Sequence, residues 1–204
     1  MTAGAGRKTT AGLLSLALVL VAVVSASGSS LYLFPNHNSQ RFDYWSVDPY
    51  TFVPTYERDY PFVCVEDPAG IDTWAKYDAY GVPREAYIFA TGEFSVPHSI
   101  EVIDVFDWEL ETCLPTGTNE LAGIVVDQAL DVVYSVEREA ALLHAWDWDG
   151  DALTLTPRPG FPVPLVGTAA AFGLALDDIE GVLYVADGAT GFVRGYDTET
   201  WTEV

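Results

Sequence analysis

Positive charge is what this 204-residue chain has least of. Nine Lys and Arg stand against thirty Asp and Glu, and the formal net charge is −21. Binding DNA, RNA or anionic lipid requires Lys and Arg to displace counterions. No basic cluster occurs beyond Arg7-Lys8, so nucleic acid is excluded as a partner, and membrane contact is limited to an N-terminal anchor. The acidity itself serves solubility, with adaptation to salt or attraction of cations as alternatives. Cysteine is nearly absent, at two residues, and histidine is limited to three. Without a CxxC pair or a second Cys/His group, a zinc or redox centre has no sequence support. No Ser-His-Asp or Cys-His arrangement has any spacing behind it. Helical periodicity longer than about two turns is missing after residue 30.

One long apolar run is present, Ala11 to Val24, behind Arg7-Lys8 and ahead of Ser25-Ala26-Ser27-Gly28. This three-part order is that of a secretory signal cut after Ala26. At about 14 residues the run is short of the roughly 20 that span a bilayer, and a retained anchor is the alternative. Both readings export the remainder to an extracellular, periplasmic or cell-surface location. In an oxidising compartment Cys64 and Cys113 are expected to form one disulfide, two free thiols being the alternative. The chain-entropy model assigns such a bridge about 4 kcal/mol.

The remainder repeats. Gly173-Leu-Ala-Leu-Asp177, Val182-Leu-Tyr-Val-Ala186 and Phe192-Val-Arg-Gly-Tyr-Asp197 follow Gly123-Ile-Val-Val-Asp127, Val132-Val-Tyr-Ser-Val136 and Leu142-Leu-His-Ala-Trp-Asp147 at a period of about 50 residues. Looser copies precede them. Second strands carry Tyr32, Tyr87, Tyr134 and Tyr184, and third strands end at Asp48, Asp104, Asp147 and Asp197. Asp127 and Asp177 close the inner strands. An Asp leaving a strand accepts bonds from the amides of the next turn, so these are structural repeat positions. Fourth strands are expected at Thr51–Val53, Glu109–Cys113, Ala152–Thr156 and Thr200–Val204. The second strands are apolar on both faces, as strands covered on both sides should be. The chain therefore predicts an all-β fold: a β-propeller of four-stranded antiparallel blades in about four units, 31–60, 61–118, 119–165 and 166–204. Unit one shows no first strand, and that of unit two is sought within Trp74–Asp78. Pro157 to Pro164 marks an inter-blade connection. The chain is read either as part of a longer propeller of six to eight blades, or as a small four-bladed ring or arc.

Over residues 121–204 the Gly-Leu-Ala-Leu-Asp, Val-Leu-Tyr-Val-Ala-Asp and Gly-Tyr-Asp-Thr-Glu-Thr pattern resembles the YVTN and NHL repeats of secreted and surface propellers, and the YWTD type more distantly. The resemblance implies a WD40-like architecture and leaves activity open, since binders, scaffolds, lactonases and dehydrogenase-like enzymes share such folds. The expected function is a non-enzymatic binding or scaffold module for a protein or glycan. The alternative is a lactonase-like hydrolase with Ca²⁺ held by carboxylates in the central channel; a dehydrogenase is a weaker third. Asp147, Asp149 and Asp151 are weak calcium candidates, since hard oxygens at alternate positions suit that ion, though Gly150 also suits a plain hairpin. Catalytic residues and an organic cofactor are not assigned. His37 and His98 are loop residues. Glu101, His144 and Arg194 share one repeat position, expected to be wet. Trp146 and Tyr196 read as packing, and Trp108 and Trp148 as exposed sugar-stacking candidates.

Overall fold

The computed structural model describes residues 23–24, 30–36, 41–47, 51, 53–66, 68–92, 99–118 and 120–204. Among them every regular element is a strand, and no helix is long and apolar enough to cross a membrane. Four antiparallel sheets follow one another along the chain. The first contains β1 (Val23–Val24), β2 (Ser30–Asn36), β3 (Arg41–Val47) and β4 (Pro54–Pro61); the second β5 (Pro68–Tyr77), β6 (Pro83–Gly92), β7 (Ser99–Asp104) and β8 (Leu110–Pro115). The third contains β9 (Leu121–Asp127), β10 (Val132–Glu137), β11 (Leu142–Asp149) and β12 (Thr154–Pro157), with β13 (Val163–Pro164) also paired to β11. The fourth contains β14 (Ala171–Asp177), β15 (Val182–Asp187) and β16 (Phe192–Asp197), and Tyr196 bridges to Glu203. Each sheet is a meander of neighbours in sequence, which is a propeller blade.

Three apolar layers lie between the four blades. Tyr60 and Phe62 pack with Ile71, Ile88 and Ile103 of blade two. The other face of blade two, with Tyr87, Phe89, Ile100 and Val102, meets Ile124, Val126, Val133 and Trp146 of blade three. Blade three in turn lays Val125, Val132, Tyr134, Leu143 and Ala145 on Leu183, Val185 and Tyr196 of blade four. Because adjacent strand residues point to opposite faces, the strands of blades two and three need apolar side chains at nearly every position.

The inner strands stack almost backbone to backbone. A Cβ on Gly70 would lie 2.7 Å from the Ile124 amide nitrogen, and one on Gly123 would lie 2.9 Å from the Phe172 carbonyl oxygen. Gly173 occupies the same place on β14, and there the nearest atom would be the Ala186 Cβ at 3.7 Å. The repeated glycine is thus the residue that lets one inner strand lie against the next.

Several expectations need correction. Unit one has a first strand, since Val23 and Val24 pair with Leu31 and Ser30. That strand lies inside the segment read as the signal; residues 1–22 lie outside the described residues. The fourth strand of unit one is β4, not Thr51–Val53; Pro54 opens the strand, where the lack of an N–H is harmless. The first strand of unit two begins at Pro68, six residues ahead of Trp74. In the last unit the fourth strand is reduced to the single Tyr196–Glu203 bridge. The proline-rich connection is stitched down: β13 pairs with Leu142 and Leu143, and Leu165 is buried.

All four repeat tyrosines lie on second strands but do not share one register. Tyr134 and Tyr184 match, two residues beyond the partner of Asp147 and of Asp197. Tyr87 pairs directly with Asp104, so Phe89 fills the matching position. Tyr32 faces Trp45, one residue further than the repeat requires when β3 is aligned on Val47. Asp48 lies outside the described residues.

Candidate functional site

The repeat aspartates build turns. Asp127 accepts the amides of Ala129 and Leu130, Asp177 those of Ile179 and Glu180, Asp104 those of Phe106 and Asp107, and Asp197 those of Glu199 and Thr200. Asp147 departs from this role. The β11–β12 hairpin is longer, so Asp149 takes the Ala152 amide while Asp147 pairs with Arg158 at 2.8 Å. Four residues after each third-strand turn aspartate, the chain turns left-handed at Trp108, Leu153 and Trp201, with φ of 63°, 53° and 57°. Trp201 lies 5.7 Å from the Tyr134 ring and Leu153 packs on the layer between blades two and three. This recurring inward side chain carries no residue identity, only an apolar character, so the sequence pattern did not reveal it.

Asp147, Asp149 and Asp151, on the β11–β12 hairpin, are engaged with different partners. Asp151 pairs instead with Lys76 at 3.2 Å. Among the described residues, three metal-capable groups come within 4.8 Å of one another at Asp104, Asp107 and Glu111. Those carboxylates sit on the β7–β8 hairpin of blade two, and backbone amides bond Asp104 and Asp107.

The shared third-strand position is buried at Glu101 and His144 and half-buried at Arg194, where a wet or rim-facing site was expected. Glu101 is fully enclosed and accepts the amides of Val63 and Cys64, each at 2.9 Å. Burial pushes its carboxyl up, and the amides pull it partly back. His144 stacks on Trp146 and lies 3.2 Å from Glu137. Arg194 bonds Glu203 and stands 3.8 Å from Asp187, the residue matching Glu137. An acid closing the second strand beside a base on the third is a repeated pair. Burial pushes the Asp187 carboxyl up, but Thr190 and the amides of Ala170, Ala169 and Ala189 outweigh it and hold it at about 2. His37 and His98 lie outside the described residues. Trp148 is buried and Trp108 half-buried beneath Arg58, so neither is an exposed stacking platform.

Cys64 and Cys113 form the expected disulfide across a separation of 49 residues, tying the segment between blades one and two to β8.

Two hollows open where inner strands turn outward. The larger, about 540 Å³, is lined by β5, β9 and β14 and by Asp72, Asp127, Gln128 and Asp178. Asp72 takes the place that Val125 and Ala175 hold in the next two blades, an apolar position occupied by a carboxylate. It accepts the Val126 amide at 2.7 Å and the Thr73 amide at 2.8 Å. Burial pushes its carboxyl up to about 6 against the pull of these amides. Nothing in the repeat pattern marked it, because the likeness fades before residue 121. The smaller hollow, about 410 Å³, lies between blades two and three and is lined by Trp74, Lys76, Gln128, Asp131 and Trp148 to Asp151.

No family model matches the chain, and no curated protein matches its sequence. Solved structures do. A functionally unknown protein from Desulfotomaculum acetoxidans is 16% identical with a TM-score of 0.57, covering 85% of this chain and 52% of that one. Hydrazine synthase of Kuenenia stuttgartiensis is 12% identical with a TM-score of 0.57, covering 98% and 51%. The periplasmic gluconolactonase of Pseudomonas aeruginosa is 11% identical with a TM-score of 0.60, covering 90% and 55%. At such identities the likeness establishes the propeller-type fold and nothing finer. The chain spans about half the length of these structures.

Proposed function

We propose that the chain is an exported β-propeller binding or scaffold module, holding a protein or glycan without chemical turnover at the end of the blades where the inner strands turn outward. The observation that carries this reading is the commitment of two of the three carboxylates in the larger hollow. Asp72 gives its oxygens to the Val126 and Thr73 amides, and Asp127 gives Oδ1 to its own turn. A carboxylate whose oxygens are taken up in this way is a poor calcium ligand, while the hollow still offers polar and apolar wall from three blades. Export is supported by the charged, apolar and small-residue order at the N-terminus and by the disulfide. Repeats of the YVTN or NHL kind remain the reading that best fits residues 121–204.

A lactonase-like hydrolase is the second reading, favoured by one feature, the Asp72 carboxyl held near 6 inside the hollow, within the range useful to a general acid or base. The protein applied to an immobilised glycan array, and separately to D-glucono-1,5-lactone with and without calcium chloride, decides between them. Saturable binding with no hydrolysis above the spontaneous rate is expected. Lactone turnover abolished by Asp72→Asn would overturn the non-enzymatic reading.

A further inference from the structure

Blade four turns one uncovered face to solvent. Its strands place Ala175, Val182, Tyr184, Ala186, Val193 and Gly195 on the side away from blade three, because the buried Leu183, Val185 and Tyr196 alternate with them. A Cβ on Gly195 would lie 3.2 Å from Val182, 3.2 Å from Val204 and 3.5 Å from Tyr184, so these side chains share that side. The face carries no charged residue at these positions. Tyr184 is 40% exposed, Val193 69% and Val204 73%. A contiguous apolar face open to water marks an interaction surface.

The repeat shows what kind of surface covers such a face. At the same register in blade three stand Val125, Val132, Tyr134, Val136, Leu143 and Ala145, all buried in one layer. The sheet of blade four buries them, through Leu183, Val185 and Tyr196. The open side of blade four therefore repeats a surface whose partner is another blade.

A second copy of the chain carries a blade with a free side. Blade one packs Tyr60 on blade two. Alternation along β3 and β4 puts Arg41, Asp43, Trp45, Tyr56 and Asp59 on its opposite side. There Trp45 and Tyr56 stand edge to face at 5.3 Å. Asp59 accepts Arg41 Nη1 at 2.8 Å and the Tyr56 hydroxyl at 2.9 Å, and Arg41 Nε lies 3.4 Å from Asp43. These charged groups are paired within the blade, which leaves the aromatic pair to pack. Among the described residues no apolar layer joins blade four to blade one of the same chain.

We propose that two copies of the chain close one ring, the open face of blade four in each copy lying on the outer side of blade one in the other. Each junction continues the blade-on-blade stacking already present within the chain, and a two-fold axis makes the two junctions identical. The ring has eight blades, four from each copy, within the usual range for propellers. The chain spans about half the length of the solved structures it resembles, the share that one of two copies supplies. Ring closure is independent of which ligand the hollows hold.

The state of the full chain in solution tests this. Sedimentation equilibrium should give a dimer. Val193→Lys should weaken it by roughly a hundredfold or more, because each of the two junctions then buries an unpaired ammonium. Tyr56→Asp should also weaken it. Mixing the two variants should restore dimers, since the mixed pair has one unaltered junction and one in which Lys faces Asp. Ile179→Lys, on a turn tip 91% exposed, should leave the dimer unchanged. Hydroxyl-radical labelling of the wild type needs no variant. Tyr80, 91% exposed, should be modified, while Tyr184 and Tyr56, 40% and 45% exposed in the single chain, should be spared. A monomeric wild type overturns the proposal, the open face then having some other cover or none. A dimer that survives Val193→Lys or Tyr56→Asp, that labels at Tyr184, or whose two variants fail to recombine overturns it as well.

Discussion

Acidic residues in this chain do two different jobs, and the distinction lies in what surrounds each carboxylate. Asp127, Asp177 and Asp197 cap turns at the surface, where two amides converge on one oxygen. That role was legible in the sequence because it depends on local order: an apolar strand, an Asp, then a turn. Glu101 and Asp72 fasten separate parts of the chain together, and their partners lie 37 and 54 residues away. Such bonds leave no local mark, which is why Glu101 was expected in water and Asp72 was not singled out. The pH dependence separates the two kinds. Asp72 has its folded carboxyl raised from 3.8 to about 6, so the fold favours the protonated form. Its contribution is fully present below the unfolded value and is lost as pH rises through the folded one. Asp72→Asn should therefore gain on the wild type by on the order of 3 kcal/mol as pH rises across that interval, measured by urea unfolding. A difference between the two proteins that does not change with pH would show that Asp72 ionises as freely in the fold as in the open chain.

At the scale of elements, strand existence was well marked and strand edges were not. Second strands announce themselves because burial on both faces demands unbroken apolar runs. Outer strands such as β4, mostly exposed and bounded by Pro54 and Pro61, carry little hydrophobic signal. The register of Tyr32 and Tyr87 escaped for a related reason: aromatic residues suit several positions on a buried strand, so a tyrosine is a poor register mark. Glycine is a better one, because the inner strands require it sterically. Gly123→Ala, with backbone atoms at 2.9 to 3.1 Å from the new methyl group, should cost about 1–3 kcal/mol. Gly173→Ala, with its nearest contact at 3.7 Å, should cost clearly less. Chemical unfolding of the two variants side by side checks this; equal losses would mean that inner-strand contact is not what selects the glycine.

For the molecule as a whole, the repeated unit is a sheet that must be covered. Tyr134 and Tyr184 hold the same register, yet Tyr134 is 4% exposed and Tyr184 is 40% exposed. The difference is the neighbour, since blade four covers the Tyr134 face of blade three while Tyr184, Val193 and Val204 face outward among the described residues. The sequence carried this architecture in its period and not in any catalytic or metal motif. The two hollows were hidden because they form between blades, from residues such as Trp74 and Trp148 that are far apart in the chain.

A double-mutant cycle on Tyr134 and Trp201 tests the stacking of blades most directly. Their rings are 5.7 Å apart and belong to successive repeat units. With each changed to Leu, singly and together, urea unfolding should give a coupling of about 0.5–1.5 kcal/mol. Strict additivity of the two losses would contradict the packing of blade four on blade three.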